Sequence, residues 1–295
     1  MTLLVLVGPT GIGKTNLSIQ LAKYFNAEIV SADSRQMYKE LDIGTAPPSA
    51  QQLDEVEHHF IKTHSIHNNY TAGKYEFEAL DTIQNLFLAK KQVLLVGGSG
   101  LYIDAVCSGI DNIPNTDEEL RNKITEQYKT DGIESLRFEL MRLDPDIYKT
   151  IDIKNPQRVM RALEVCITSG KPYSLLRKNF EKKRDFNIIK IGLEIDRDIL
   201  YERINLRVDA MIAAGLENEA KSLFPFRECN ALKTVGYREI FDYFDGTTSL
   251  DEAISLIKRN TRRYAKRQIT WFKRYPEIAW FHPNDMDKIC KYAEF

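Results

Sequence analysis

The stretch LLVLVGPTGIGKT, residues 3–15, decides the fold of the first part of this 295-residue chain. Five apolar residues, typical of a buried strand, run into a loop with the phosphate-binding pattern G-x-x-x-x-G-K-[ST]. Apolar Leu17, Ile19, Leu21 and Ala22 then indicate a helix. Backbone N–H groups of such a loop and the N-terminus of its helix bind phosphate oxygens. We therefore predict a diphosphate site formed by Gly8, Pro9, Thr10, Gly11, Ile12, Gly13, Lys14 and Thr15.

Two further apolar stretches follow, EIVSAD at 28–33 and QVLLVGGSG at 92–100. Strands separated by helical segments predict a parallel, doubly wound α/β sheet. Ligands of such sheets bind beyond the carboxyl ends of the strands. We therefore expect the P-loop, Asp33 and Ser99 to converge at that edge.

Strand patterns stop in the middle of the chain, where helix signals dominate. Thr116 and Glu119 have the spacing of a capping box, Asn155 precedes a proline as an N-cap, and Gly170 ends that helix. A strand pattern returns at 188–195. These signals predict a helical block.

The domain organisation follows from this block. We predict a P-loop catalytic core made of residues 1–114 and 187–295, interrupted by a helical insertion at 115–186.

Composition limits the function classes. The net charge of −1 excludes a uniformly basic protein, so any nucleic-acid affinity must come from local clusters. No signal peptide and no run of about 20 apolar residues is present. Four widely spaced cysteines indicate reduced thiols. We expect a cytoplasmic protein that does not enter a membrane.

The strand ends favour some chemistries over others. A P-loop hydrolase carries an acid after an apolar strand to hold Mg²⁺, but the third strand ends in Gly97-Gly98-Ser99-Gly100. This weakens an ATPase interpretation and leaves a small-molecule kinase open. Asp33 either accepts a proton from a substrate or caps the following turn, and the residues alone leave both open.

Basic residues cluster in three places. Gln157, Arg158 and Arg161 share one helical face, and 233–238 combines two basic residues with Tyr237. A helix from Ser249 to about residue 274 carries basic pairs four residues apart with no acid between 258 and 274. Such unpaired charges favour RNA phosphate over a solvated face.

Four histidines lie within ten residues, but their spacing matches no familiar zinc site. They are His58, His59, His64 and His67.

The motifs in order resemble one family. They are GPTGIGKT, SADSRQMY, DIGTA, GGSGLY, NPQRVMRALEV, RVDAM, TVGYRE and KRQITWFKR, and together they resemble the tRNA dimethylallyltransferases, also called tRNA isopentenyltransferases. The resemblance runs from Gly8 to Arg274 and is to the compact bacterial form. It implies transfer of a dimethylallyl group from dimethylallyl diphosphate to N6 of adenosine 37, with the P-loop on the donor and Mg²⁺ on Thr15. Pro47 stands where family members often have a lysine.

The resemblance also implies residue roles. Asp33 would be the general base, with Thr10, Ser99 and Arg207 completing the catalytic set. Contacts to the tRNA anticodon stem-loop would come from Asp33, Ser34, Arg35, Gln36, Ser99, Lys123, Gln157, Arg158, Val159, Met160, Arg161, Lys233, Thr234, Val235, Gly236, Tyr237, Arg238, Arg262, Lys266 and Arg267.

Two other activities stay open beside this one. An adenylate isopentenyltransferase would modify a free nucleotide and would have little use for the basic surfaces. A P-loop small-molecule kinase would use the helical block as a lid. For the tRNA dimethylallyltransferase interpretation we expect a monomer.

Overall fold

The computed structural model describes residues 1–111, 113–114, 117–178 and 181–294. It divides into two compact units, residues 1–107 with 184–295, and residues 108–183. The second unit begins and ends a few residues earlier than the helical block expected at 115–186. One reason is that Arg184 donates hydrogen bonds to the carbonyls of Ala105 and Val106, so the returning chain already belongs to the first unit at residue 184. The capping box expected at Thr116 lies outside the described residues.

The first unit contains a six-stranded parallel sheet with strand order β3-β2-β4-β1-β5-β6. The strands are β1 Thr2–Val7, β2 Ile29–Ala32, β3 His58–His59, β4 Gln92–Gly97, β5 Asn187–Leu193 and β6 Ala279–Phe281. The doubly wound parallel sheet expected from the sequence is confirmed. Strands β3 and β6 are additional.

Both faces of the sheet are buried, which explains the continuous apolar runs in its strands. Leu3, Val5 and Val7 of β1 pack into one apolar cluster, whereas Leu4 and Leu6 pack into another. Side chains alternate between the faces along a strand, so β1, β2 and β4 each contribute to both clusters.

The helices follow in chain order. They are α1 Lys14–Phe25, α2 Ala50–Glu55, α3 Ala72–Phe87, α4 Gly100–Cys107, α5 Glu118–Leu143, α6 Pro145–Thr150, α7 Pro156–Ser169, α8 Tyr173–Leu176, α9 Arg197–Ala213, α10 Leu216–Leu223, α11 Tyr237–Phe244, α12 Leu250–Phe272 and α13 Met286–Ala293.

Capping residues set the ends of two helices predicted from sequence. Ser249 and Glu252 form the capping box that starts α12. Asn155 caps α7 through the Arg158 amide, and Gly170 ends α7 in the left-handed conformation. Each cap satisfies backbone groups that a helix end leaves without partners.

The second unit is helical and has its own apolar core. Helix α5 starts after Asp117 and is interrupted at Gly132, whose backbone is not helical. Its core packs α5 against α7 through residues that include Leu136, Leu140 and Leu163.

None of the helices in the described ranges is long and apolar enough to cross a membrane. The four cysteines are unpaired, as predicted.

Candidate active site

A cavity of about 450 Å³ opens where the loops after β1, β2 and β4 meet. These strands are neighbours in the sheet, so their carboxyl ends bring distant segments together. Helices α9 and α12 close the sides. Its lining includes Thr10, Lys14, Thr15, Asp33, Gly97, Arg207, Tyr264 and Gln268.

The P-loop joins β1 to α1. Gly13 is the N-cap of α1 with φ 104°, a conformation that residues with a side chain rarely adopt. Because α1 begins at Lys14, the positive end of its dipole faces the cavity that the loop lines. This arrangement suits a phosphate group.

Lys14 folds back over the loop. Its Nζ donates to the carbonyls of Gly8 and Pro9, both at 2.9 Å. Burial lowers the pKa of Lys14 to about 8, with the Asp33 charge opposing the shift and the Arg207 charge adding to it. A bound anion would offer this cation a better partner than two carbonyls.

Asp33 follows β2 and uses one oxygen to organise the next turn. Its Oδ1 accepts hydrogen bonds from the amides of Arg35 at 2.9 Å and Gln36 at 3.2 Å. Within the described residues, Oδ2 accepts no hydrogen bond, and Asp33 lines the cavity. The capping role therefore holds, and it orients the carboxylate while leaving one oxygen for another proton.

Ser99 follows β4 and is bonded to the turn after Asp33. Its Oγ accepts from the Ser34 amide at 3.0 Å and donates to the Ser34 hydroxyl at 3.1 Å. Tyr264 of α12 lies beside this pair, and burial raises the Tyr264 pKa to about 12, with the Asp33 charge adding to the shift. Three elements thus bring hydroxyl groups to Asp33.

Arg207 enters the cavity from α9. Its Nη2 donates to the Thr45 carbonyl at 3.3 Å. Burial lowers the pKa of Arg207, and the Asp33 charge opposes that shift. The nearby carboxylate of Asp209 bonds Lys258 at 2.6 Å. Arg207 therefore places a positive charge in the cavity with Lys14 and Asp33.

The loop that carries Thr45 is fixed by Glu219 of α10. The Glu219 carboxylate accepts from the amides of Asp42, Ile43 and Gly44 at 3.2, 2.7 and 3.0 Å. It also accepts from the Tyr237 hydroxyl at 2.6 Å. Four donors on one carboxylate fix the conformation of this loop, which presents the Thr45 carbonyl to Arg207.

The geometry agrees with comparisons to known proteins. The family model described as IPP transferase matches residues 36–275. The tRNA dimethylallyltransferase 1 of Bacteroides fragilis is 50% identical over 99% of this chain and 97% of its own length. This chain belongs to the IPP transferase family. The tRNA dimethylallyltransferase of Flavobacterium johnsoniae is 51% identical, covering 98% of this chain and 96% of its own.

Solved structures extend this similarity to the fold. The full-length tRNA isopentenylpyrophosphate transferase of Bacillus halodurans matches with TM-score 0.73 and 36% identity, covering 99% of this chain and 97% of its own. A eukaryotic dimethylallyltransferase described as acting on tRNA matches with TM-score 0.77 and 25% identity, covering 99% of this chain and 76% of its own.

Three residues expected to contact RNA in this chain are buried instead. Tyr237 is fully buried in the core of the first unit, because its ring packs there and its hydroxyl holds Glu219. It cannot stack on a base in this conformation. Val159 is fully buried in the core of the second unit, because it lies on the inward face of α7. The neighbouring Gly236 is also buried.

The other predicted RNA contacts lie on or near the surface. Arg161 pairs with Glu164 and donates to the Pro114 carbonyl, so its guanidinium already has partners within the protein. Lys233 pairs with Glu228 at 3.3 Å. The exposed ones are Lys123, Gln157, Arg158, Lys233, Arg238, Lys266 and Arg267, while Ser34, Arg35, Gln36, Ser99, Met160, Arg161, Thr234, Val235 and Arg262 are half-buried.

The basic helix α12 is less free of partners than expected. Lys258 bonds Asp209 of α9, and Lys273 bonds Glu194 at 3.2 Å. Arg262 donates to Asn205 at 2.6 Å. The expectation of a wholly unpaired row was wrong because α9 and the residues after β5 supply partners. Among the described residues, four exposed cations within α12 keep no ion pair: Arg259, Arg263, Lys266 and Arg267.

A magnesium ion fits the cavity only with help from a ligand. No three His, Cys, Asp or Glu side chains of the described residues cluster as a metal site. Thr15 lines the cavity, and Mg²⁺ in phosphate sites commonly takes one or two protein oxygens beside the phosphates and waters. The Thr15 hydroxyl plus a diphosphate is such a donor set.

The clustered histidines have protein partners. His58 Nδ1 lies 2.7 Å from the Val56 carbonyl, and His59 Nε2 lies 2.8 Å from Glu28. Burial lowers the pKa of His58, which also lines the cavity.

Sequence reasoning missed several residues of the site. Gln268 and Tyr264 of α12 were not predicted as site residues, yet both line the cavity. Arg203 lies one turn before Arg207 on α9 and lines it as well. The four-residue spacing of the two arginines was the one available signal, since it places both on one helical face.

Proposed function

We propose that this chain transfers the dimethylallyl group of dimethylallyl diphosphate to N6 of adenosine 37 in tRNA. The observation that carries the proposal is one cavity that combines a P-loop, a half-buried lysine and arginine, and a carboxylate with one oxygen unbonded among the described residues. The names of the full-length relatives support the same activity.

The donor is held by its diphosphate. The amides of the P-loop, Lys14 and Arg207 provide positive groups around it, and Thr10 lies at the inner side of the loop. The allylic C–O bond breaks with its electron pair remaining on the diphosphate, so negative charge grows there. Preorganised donors aimed at growing charge lower the barrier. Bound Mg²⁺, held by Thr15 and the phosphates, would add charge neutralisation.

The acceptor amine needs a base. The lone pair of N6 is delocalised into the adenine ring, so the amine is a poor nucleophile until its proton is removed. The Asp33 carboxylate takes this proton as the new N6–C bond forms. Its second oxygen is anchored by two amides, which keeps the carboxylate oriented. Ser99 and Ser34 lie beside it and are suited to contact the adenosine.

A base inside an RNA stack cannot reach such a cavity, so adenosine 37 must be turned outward. The exposed cations at the middle of α12 and on α7 would bind phosphates of the anticodon stem-loop. We place the protein in the cytoplasm with its RNA substrate, acting as a monomer.

The test is an acceptor comparison. Purified protein with Mg²⁺ and dimethylallyl diphosphate is incubated with unmodified tRNA or with AMP, and products are read by mass spectrometry of nucleosides. We expect dimethylallyl-adenosine from position 37 of tRNA only. Product from AMP alone would indicate a free-nucleotide enzyme, and ATP turnover with a phosphorylated product would indicate a kinase.

A further inference from the structure

Gln268 connects the two loops that form the cavity. It lies on α12 with only 6% of its surface exposed. Its Oε1 accepts from the Thr10 amide at 2.9 Å, and its Nε2 donates to the Gly98 carbonyl at 2.9 Å. One side chain thus joins the donor loop after β1 to the turn after β4.

The two bonds fix the orientation of the side chain. The Thr10 amide can only donate and the Gly98 carbonyl can only accept, so a single arrangement of the carboxamide satisfies both. Both partners are backbone groups, and neither can turn away without moving its loop. A buried amide or carbonyl left without a partner is costly.

The space around the carboxamide is also matched to it. A Cβ atom on Gly98 would lie 2.1 Å from Gln268 Nε2, far inside van der Waals contact. A glycine at 98 is therefore what allows α12 to approach the turn and form this bond.

We propose that Gln268 is a positioning residue that sets Thr10 and the donor loop against the Gly98–Ser99 turn. This rests on the proposed function, in which the loop binds the prenyl diphosphate and the turn faces the adenosine. The Thr10 amide is committed to Gln268, so the phosphate-binding amides are those that follow it in the loop. Gln268 therefore aligns the two reacting groups without binding either one.

The sharpest test is Gln268→Glu, which keeps the shape. The introduced carboxyl still accepts from Thr10, but when ionised it sets a negative oxygen against the Gly98 carbonyl. When protonated it donates to that carbonyl and restores the native pattern. We expect kcat for tRNA prenylation to fall on the order of 100-fold at pH 8, with a change in KM for dimethylallyl diphosphate below about tenfold, since other groups hold the diphosphate.

The pH dependence separates positioning from a general structural effect. The ratio of variant kcat to wild-type kcat should rise as pH falls, because the proton restores the donor. Other charged or titratable groups around the cavity are shared by both proteins, so their titration cancels in the ratio. They are Lys14, Asp33, His58, Arg203, Arg207 and Tyr264.

A second variant keeps Gln268 but blocks the space that its side chain occupies. Gly98→Ala pushes a methyl group against Nε2, so kcat should fall by a similar factor. Gln268→Ala is the matching single variant. The loss of kcat in the double variant Gly98→Ala/Gln268→Ala should not exceed the larger of the losses in Gly98→Ala and Gln268→Ala, since both substitutions act on one contact. Ile289→Val, in an apolar cluster and outside the cavity lining, is the control that lowers the melting temperature and leaves kcat unchanged.

The outcomes are distinct. Absence of prenylation by the wild-type protein would refute the proposed function itself. An active wild type with Gln268→Glu at full kcat, a kcat ratio flat with pH, or losses that multiply in the double variant would each overturn the positioning role.

Discussion

The affinity for the prenyl donor should weaken as pH rises through 8, because of Lys14. Burial lowers the pKa of Lys14 from 10.5 to about 8 in the ligand-free protein. About nine in ten molecules then carry the charge at pH 7, and about one in ten at pH 9. If the diphosphate binds only the charged form, its Kd rises about tenfold over this interval. The direction follows from the sign of the pKa shift, because a lysine with a lowered pKa loses its proton at a lower pH than usual. Above pH 8, binding of the anion must therefore be accompanied by proton uptake.

Isothermal titration with dimethylallyl diphosphate between pH 7 and 9.5 measures this directly. Terminal phosphate groups ionise near pH 6, so the ligand charge is constant in this range. Buffers with different ionisation heats report the proton uptake. Lys14→Gln is the matched control, and it should bind more weakly with a Kd that does not change with pH. A wild-type Kd constant from pH 7 to 9, or the same slope in Lys14→Gln, would refute the reasoning.

Three further predictions concern the surroundings of the cavity. Glu219→Ala leaves three amides and a hydroxyl without their acceptor and should lower the free energy of unfolding by about 2–4 kcal/mol. Urea titrations measure this loss, and the control Glu217→Ala on the same helix should change the free energy of unfolding little. Arg184→Met removes the 3.0 Å ion pair with the buried Glu76 carboxylate and the donors to the carbonyls of Ala105 and Val106, and should cost about 3–5 kcal/mol. A loss below 1 kcal/mol would contradict the stabilising role of Arg184. Neutralising three of the unpaired cations of α12, in Arg263→Ala/Lys266→Ala/Arg267→Ala, should weaken tRNA binding and lower its salt dependence by up to about three units of slope. Filter-binding assays should show a larger effect than for Lys258→Ala.

The sequence predicted the parts of the molecule that are locally encoded. The apolar run of β1, the glycines of the loop and the first turns of α1 are contiguous, so their pattern alone predicts the P-loop on which the proposed diphosphate site rests. The same holds for α7 and α12, whose caps and spacing are local.

Long-range contacts were not predictable in this way. Gln268 bonds Thr10 across 258 positions, and no local pattern distinguishes it from the rest of a helical stripe. Glu219 likewise acts on amides more than 170 residues away. Tyr237 was taken as an RNA contact because it stands beside basic residues, but in the fold its hydroxyl reaches Glu219 and its ring enters the core.

Short strands were missed for a related reason. Strand β3 has two residues, His58 and His59, and pairs with β2 through Ile29 and Val30. Two residues are too few to show the alternation of apolar and polar residues that predicts a strand, so only pairing with β2 defines the element.

The most direct test of the account is the role of the Asp33 carboxylate. Asp33→Asn keeps an oxygen for the turn amides but removes the base. Single-turnover prenylation of tRNA, followed by mass spectrometry, should show at least about a hundredfold loss of rate, with tRNA and donor affinities within a few-fold of wild type. Full-rate prenylation by Asp33→Asn would contradict the assignment of this carboxylate as the group that takes the N6 proton.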